Sequence, residues 1–206
     1  MDDAATCWVC CEGGDSPHGT PLSTGCACRG SAGHAHLQCL VSSARTRHEA
    51  LPQLHPERLQ YWHSCPTCKQ GFTGAVLVGL ARAHYELVHA SPHGGRIDAA
   101  SMLAIALNQA GDFAGARPLF EEVVAGTRQV YGNDHASTLN AITNLATHLS
   151  RTGARDRESG AADLESARKL QVEAVSTYSR TGHTTRICMY RLAALRATCL
   201  HVAPAP

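Results

Sequence analysis

The fold of the N-terminal third is decided by Cys7-x2-Cys10, Cys26-x-Cys28, His36-x2-Cys39 and Cys65-x2-Cys68, four closely spaced pairs of thiol or imidazole groups. A structural zinc site takes four Cys or His ligands in a tetrahedron and leaves no open coordination position. Eight ligands therefore fill two such sites. The sequence predicts a finger that binds two structural zinc ions.

Metal binding also fits the composition of residues 7–68, a short segment that is poor in large apolar side chains. Domains of this size commonly rely on metals or disulfides in place of a full core. A disulfide framework also requires an even number of cysteines. However, the chain starts Met1-Asp2-Asp3-Ala4-Ala5, without a basic or apolar leader, and cysteines in the cytosol stay reduced. We therefore expect zinc ligands and an intracellular location, cytoplasmic or nuclear.

The ligand order resembles that of the RING-CH finger, a variant RING domain found in ubiquitin ligases. The resemblance is carried by Cys26-x-Cys28, by the spacing Cys28-x7-His36, and by Cys28-Arg29-Gly30-Ser31 and His36-Leu37-Gln38-Cys39-Leu40. It covers residues 7 to about 72 and implies a cross-braced α+β fold. In that arrangement one zinc ion is held by Cys7, Cys10, His36 and Cys39, and the other by Cys26, Cys28, Cys65 and Cys68.

The resemblance also implies an activity. Zinc ions with four protein ligands cannot activate water, so a RING-type ligase works by holding the ubiquitin thioester of a conjugating enzyme near a target lysine. No catalytic residue is expected in the chain itself. By position in the family pattern, the residues expected to contact the conjugating enzyme are Val9, Leu40, Pro66 and Lys69.

One position departs from the family pattern. RING-CH fingers usually carry a Trp about four residues after the sixth ligand, where this chain has Ser43. Aromatic anchors commonly dominate small interfaces, and Trp8 is an alternative anchor beside Val9. Two hypotheses stay open: a RING-type ubiquitin ligase, and a zinc-binding adaptor without transfer activity.

A PHD-like reader of histone tails is a further alternative, because PHD fingers share this ligand order and carry a Trp just before the last Cys pair. Here Trp62 lies three residues before Cys65 rather than two. The x7 spacing before His36 is also longer than the four or five residues of PHD fingers. Both spacings favour the RING-CH hypothesis.

The composition of the whole chain bounds its other interactions. The 206 residues carry a formal net charge of +1, with 17% charged residues. The chain therefore lacks the excess of basic residues that nucleic-acid binding favours. The apolar run Gly74–Ala81 is far shorter than the ~20 residues of a membrane-spanning helix. We expect neither nucleic acid nor a membrane span.

Three segments follow from these patterns: a finger over 1–72, an amphipathic helix and linker over 73–95, and helical repeats over 96–206. Within the finger, a helix is expected from Leu40 to about Leu51. Apolar residues recur at spacings of three and four from Ala75 to Ala90, which predicts the connecting helix.

The third segment repeats itself. Leu103-Ala104-x2-Leu107-x3-Gly111 recurs as Leu145-Ala146-x2-Leu149-x3-Gly153, and Ala116-Arg117-x-Leu119 recurs as Ala167-Arg168-x-Leu170. Self-similarity of this kind predicts stacked helical hairpins with a glycine at each corner. The pattern resembles tetratricopeptide repeats, and in particular the longer repeats of kinesin light chains.

Such arrays bind proteins or peptides along a concave face, so the repeats are expected to recruit a protein target. The second copy has Gln171 where the first has Phe120. A third copy is reduced to one expected helix, from Thr184 to about Leu200.

Overall fold

The structure is a computed structural model that describes residues 5–14, 21–29, 33–52, 55, 57–89, 95–155 and 160–181. The chain packs as two compact units, Met1–Gly111 and Asp112–Pro206. None of the helices in the described ranges combines the length and apolar character needed to cross a bilayer.

The first unit begins with a small antiparallel sheet followed by helices. Strand β1, Leu22–Ser23, pairs with β2, Ala35–His36, with Leu22 opposite His36. The helices are α1 (Leu37–Ala50), α2 (Glu57–Gln60), α3 (Gly74–His89) and α4 (Arg96–Ala110). Helix α1 starts three residues before the predicted Leu40, because His36, still extended at the end of β2, forms its N-terminal boundary.

Helix α3, predicted as the connecting helix, completes the core of the finger. Its Val76 and Leu80 are buried in the same cluster as Leu40 and Val41 of α1. Trp62 is fully buried among them. The finger therefore has an apolar core in addition to its ligand clusters, and α3 supplies one wall of it.

The contact between α3 and the finger is so close that glycine is needed at Gly25. A Cβ atom at this position would lie 2.6 Å from Cβ of Val76. Valine is stiff because it branches at Cβ, and the close atom belongs to its rigid base. The approach of α3 to the loop before Cys26 thus depends on the absence of a side chain at Gly25.

We expect the Gly25→Ala substitution to destabilise the finger by about 1–3 kcal/mol, the usual cost of overpacking a close-packed site. Thermal or chemical denaturation of the full chain measures this. Gly71→Ala is the matched control, since its Cβ would meet nothing nearer than 3.7 Å. Equal stabilities of the two variants would contradict the packing described for α3.

The second unit consists of α5 (Phe113–Tyr131), α6 (Ala136–Gly153) and α7 (Gly160–Thr181). Helix α6 packs against both of the others and buries residues on much of its circumference, including Leu139, Ile142 and Leu149. Ion pairs join Arg117 on α5 to Asp163 on α7 at 2.9 Å, and Arg128 to Glu173. Both pairs are partly open to solvent and contribute little to stability, so burial of α6 holds the unit together.

The predicted repeat pattern is confirmed by burial. Six equivalent positions of the two copies are buried: Leu103, Ala104 and Leu107 in α4, and Leu145, Ala146 and Leu149 in α6. Ala116 and Ala167 are buried as well. Each copy thus presents the same small and apolar face to its neighbours.

The two corner glycines differ. Gly111 ends α4 in the left-handed conformation at φ 87°, as predicted. Gly153 is still helical; a Cβ there would lie 2.7 Å from the Gly160 carbonyl oxygen. The expectation that Gly153 turns the corner is wrong: its lack of a side chain serves the close approach of the start of α7.

Gln171 replaces the aromatic residue of the first copy without leaving a polar group unpaired. It is 5% exposed, and its Nε2 donates to Oγ of Ser150 on α6 at 3.2 Å. The domain limits at residues 72 and 95 remain predictions. Residues 91–94 of the expected linker and the expected helix from Thr184 to Leu200 lie outside the described residues.

Candidate metal centres and docking groove

The eight predicted ligands form two separate clusters. The first contains Cys7, Cys10, His36 and Cys39, and the second contains Cys26, Cys28, Cys65 and Cys68. Within each cluster, one ligand atom from every residue lies within 4.8 Å of all the others. The structure therefore brings together the two cross-braced sets that the RING-CH resemblance implies.

The distances inside the clusters fit a tetrahedron around zinc. With Zn–S bonds of about 2.3 Å, neighbouring ligand atoms of a tetrahedral site are about 3.8 Å apart. Nδ1 of His36 lies 3.4 Å from Sγ of Cys10 and 3.7 Å from Sγ of Cys39, and the sulfurs of Cys28 and Cys65 are 3.7 Å apart. A disulfide would place the sulfurs about 2.05 Å apart. All the described cysteines are free thiols, so the two clusters fit two zinc ions.

The two Cys-x2-Cys pairs of the finger lie on turns with the same hydrogen-bond pattern. In the first knuckle, residues 6–13, the N–H of Cys7 donates to Glu12 and the N–H of Cys11 donates to Cys7, both at 2.8 Å. In the second knuckle, residues 64–71, Cys65 and Lys69 repeat these roles at 2.8 and 2.9 Å. In both knuckles the residue after the second ligand has a left-handed backbone conformation, with φ 63° at Cys11 and 61° at Lys69. The repeated turn aims two sulfurs of each knuckle at one point.

The ligand role of His36 is supported by its other ring nitrogen. Nε2 lies 2.9 Å from the carbonyl oxygen of Gly14. A carbonyl can only accept a hydrogen bond, so Nε2 carries the proton and Nδ1 is left free to bind metal. Ligating histidines commonly have such an outer hydrogen bond, which fixes the tautomer and the orientation of the ring.

The electrostatics of the thiols reflect their crowding. Burial acts to raise the pKa of Cys7, but backbone N–H groups, including those of Cys10 and His36, lower it to about 6. Burial and the neighbouring thiols raise the pKa of Cys28, and likewise that of Cys39, to about 12. Several thiolates this close repel each other unless a cation lies between them, which is the environment that zinc requires.

A shallow groove runs between the first knuckle, α1 and the second knuckle. It is lined by Trp8, Leu40, Ser43, Ala44, Tyr61, Pro66 and Phe72. Three aromatic residues, Trp8, Tyr61 and Phe72, thus line the same groove as Ser43. The guanidinium of Arg47 stacks over the Tyr61 ring at 4.8 Å, which fixes this side chain at the rim.

Of the four residues expected to contact a conjugating enzyme, Leu40 and Pro66 line this groove. Val9 lies on the first knuckle, where its N–H donates to Sγ of Cys7, and exposed Lys69 lies on the second knuckle; neither is among the groove-lining residues. Sequence reasoning missed Tyr61 and Phe72. Both residues flank the last Cys pair in the chain, but only the geometry of the second knuckle shows that they line the groove.

Behind the groove lies a buried stack of aromatic rings that sequence reasoning also missed. The His84 ring stacks on Trp62, with centroids 4.9 Å apart and an interplanar angle of 17°. Nε1 of Trp62 donates to Nδ1 of His48 at 3.1 Å. His48, Trp62 and His84, here called the imidazole–indole stack, join α1, the segment before the second knuckle, and α3.

Two family models match parts of the chain. Residues 7–68 match the RING-variant domain, and residues 96–137 match the tetratricopeptide repeat. A search of curated proteins finds no match. Among solved structures, a Podosopora anserina kinesin light chain described as having nearly identical TPR-like repeats is 20% identical, with 82% of this chain and 88% of that chain covered and a TM-score of 0.34.

Proposed function

We propose that this protein is a RING-type ubiquitin ligase whose finger docks a ubiquitin-conjugating enzyme. The observation that carries the proposal is the groove lined by Trp8, Leu40 and Pro66 between two zinc-ligand clusters. It lies in a segment that matches the RING-variant domain, a kind of finger typical of ubiquitin ligases. The chain contributes position rather than chemistry: an amine of the target attacks the thioester, and the thiol of the conjugating enzyme leaves.

The aromatic lining supports docking despite the departure at Ser43. Trp8 and Tyr61 both border the groove, and each is only partly buried. Partly exposed aromatic rings next to aliphatic side chains supply a large contact area at low entropic cost. Trp8 and Tyr61 together replace the anchor that the family places at Ser43.

The helical repeats support the second half of the proposal, recruitment of a protein target. Tetratricopeptide repeats are protein-interaction modules, and residues 96–137 match one. The ligase would place a bound target near the docked thioester. The free thiols of the finger support an intracellular location, since cysteines stay reduced there.

The proposal is tested by mixing the full chain with ubiquitin, activating enzyme, ATP and a panel of conjugating enzymes. We expect discharge of the thioester from at least one of them, abolished by Cys39→Ala and reduced by Val9→Ala. Discharge onto free lysine is the readout, because it needs no target. Total inactivity across the panel would refute the proposal.

Within this assay we expect Trp8→Ala to weaken affinity for the active conjugating enzyme by about tenfold or more, as loss of an aromatic anchor costs ~1–3 kcal/mol. Titration calorimetry measures the change. Tyr131→Ala is the control, since Tyr131 is a half-exposed aromatic residue of α5 in the other unit. An unchanged affinity for Trp8→Ala would show that the groove is not the docking site.

A second candidate function is a zinc-binding adaptor without transfer activity. Ser43 in the groove favours it, because the family anchor is missing there. This candidate predicts zinc binding and target binding with no thioester discharge. The same panel of enzymes therefore separates the two functions.

A further inference from the structure

We infer that the imidazole–indole stack of His48, Trp62 and His84 positions the walls of the docking groove, so that α3 is a working part of the docking surface. The inference rests on the proposed function. It extends the docking module beyond the matched residues 7–68 to a helix that contributes no ligand and does not line the groove in the described structure.

The first support is that the stack and the groove share one core. Leu40, Ala44 and Phe72 line the groove, and all three are buried in the cluster that contains Trp62, with Val76 and Leu80 of α3. Tyr61, at the rim, directly precedes Trp62 in the chain. A displacement of Trp62 must therefore move the surface in front of it, since close-packed cores transmit shifts.

The second support is that the stack fixes Trp62 from two sides. On one side Nε1 of Trp62 donates to Nδ1 of His48, which ties the indole to α1. On the other side the His84 ring lies against its face at 4.9 Å. Arg58 also holds His48 in place, because its Nε donates to the carbonyl oxygen of His48 at 2.9 Å. The indole is held in position as well as orientation.

The third support is that no hydrogen bond among the described residues explains why His84 is buried. It is 0% exposed, and neither ring nitrogen has a hydrogen-bond partner in the described part of the chain. A buried imidazole without partners costs free energy compared with a leucine. Its ring packs against the rings of Trp62 and His48, so the stack accounts for an imidazole at this position.

The experiment compares thioester discharge by three variants of the full chain. His84→Ala removes the stacking ring, His84→Phe keeps it, and Arg82→Ala truncates an exposed side chain on the same helix. We expect His84→Ala to raise KM for the charged conjugating enzyme about tenfold with kcat retained, and the other two to stay near wild type. A purely structural role would instead lower the active fraction, so that apparent kcat falls and KM is unchanged. That result would overturn the inference.

An NMR measurement on the chain alone, without a conjugating enzyme, tests this inference separately from the proposed ligase function. The chain has two Trp residues, Trp8 in the groove and Trp62 in the stack, so its NMR spectrum shows two indole N–H signals. In His84→Ala we expect both signals to shift, whereas in His84→Phe the Trp8 signal should stay in place. A shift of the Trp62 signal alone would overturn the inference, whether or not any conjugating enzyme is active.

Should His84→Ala fail to fold, Trp62→Phe serves in its place. This variant keeps a stacking ring but removes the N–H that reaches His48. We expect a several-fold rise in KM together with a shift of the Trp8 indole signal. An unchanged KM and an unchanged Trp8 signal would overturn the inference.

Discussion

Cys65→Ser is expected to lose at least one of two bound zinc ions, whereas Cys11→Ser is expected to keep both. Cys65 is buried in the second cluster, and a serine hydroxyl does not replace a thiolate as a zinc ligand. A structural site contributes about 10–16 kcal/mol to folding, so its loss should leave the finger unfolded.

Cys11 makes this a matched comparison. It directly follows the ligand Cys10, yet it is exposed and belongs to neither cluster. Elemental analysis of the purified chains gives zinc per protein, and limited proteolysis reports the state of the finger. Two zinc ions in Cys65→Ser, or one in Cys11→Ser, would contradict the ligand assignment.

The second large effect is acid destabilisation through His84. Burial, together with the charges of His48, Arg58 and His63, lowers the pKa of His84 from 6.5 to about 4. Between these two pH values His84 is protonated in the unfolded chain but neutral in the folded chain. The free energy of unfolding therefore falls as the pH drops from about 6.5 to about 4. The loss amounts to about 3 kcal/mol.

His84→Phe should remove this part of the pH dependence. Chemical denaturation at several pH values, with excess zinc, gives the free energy of unfolding of wild type and variant. Protonation of the zinc ligands affects both proteins alike, so it largely cancels in the difference. His89→Phe, at an exposed position of the same helix, is expected to retain the full dependence. Parallel curves for wild type and His84→Phe would show that His84 does not carry the effect.

The ligand clusters could be predicted from the sequence because spacing alone restricts them. Four Cys or His pairs separated by one or two residues leave few ways to fill tetrahedral sites, and the resemblance to RING-CH fingers supplied the pairing. The helical repeats were predictable for a similar reason, since small and apolar residues recur at fixed offsets. Gly153 was misjudged because a glycine at a helix end can serve a turn or a close approach, and local sequence does not separate the two.

The imidazole–indole stack could not be predicted. His48, Trp62 and His84 are far apart in the chain and follow no shared period, and only tertiary packing brings them together. The groove was partly predictable, because Leu40 and Pro66 have family counterparts. Tyr61 and Phe72 join them through the geometry of the second knuckle.

The interleaved clusters also set an order for synthesis on the ribosome. The ligands of the first cluster end at Cys39, whereas the second needs Cys65 and Cys68, and the core wall supplied by α3 comes later still. A nascent chain paused within α3 already carries all eight ligands, but it exposes apolar surface that the remainder of α3 covers in the folded finger. Exposed apolar surface promotes aggregation and chaperone capture, so we expect slow translation through this helix to raise the share of chains that misfold.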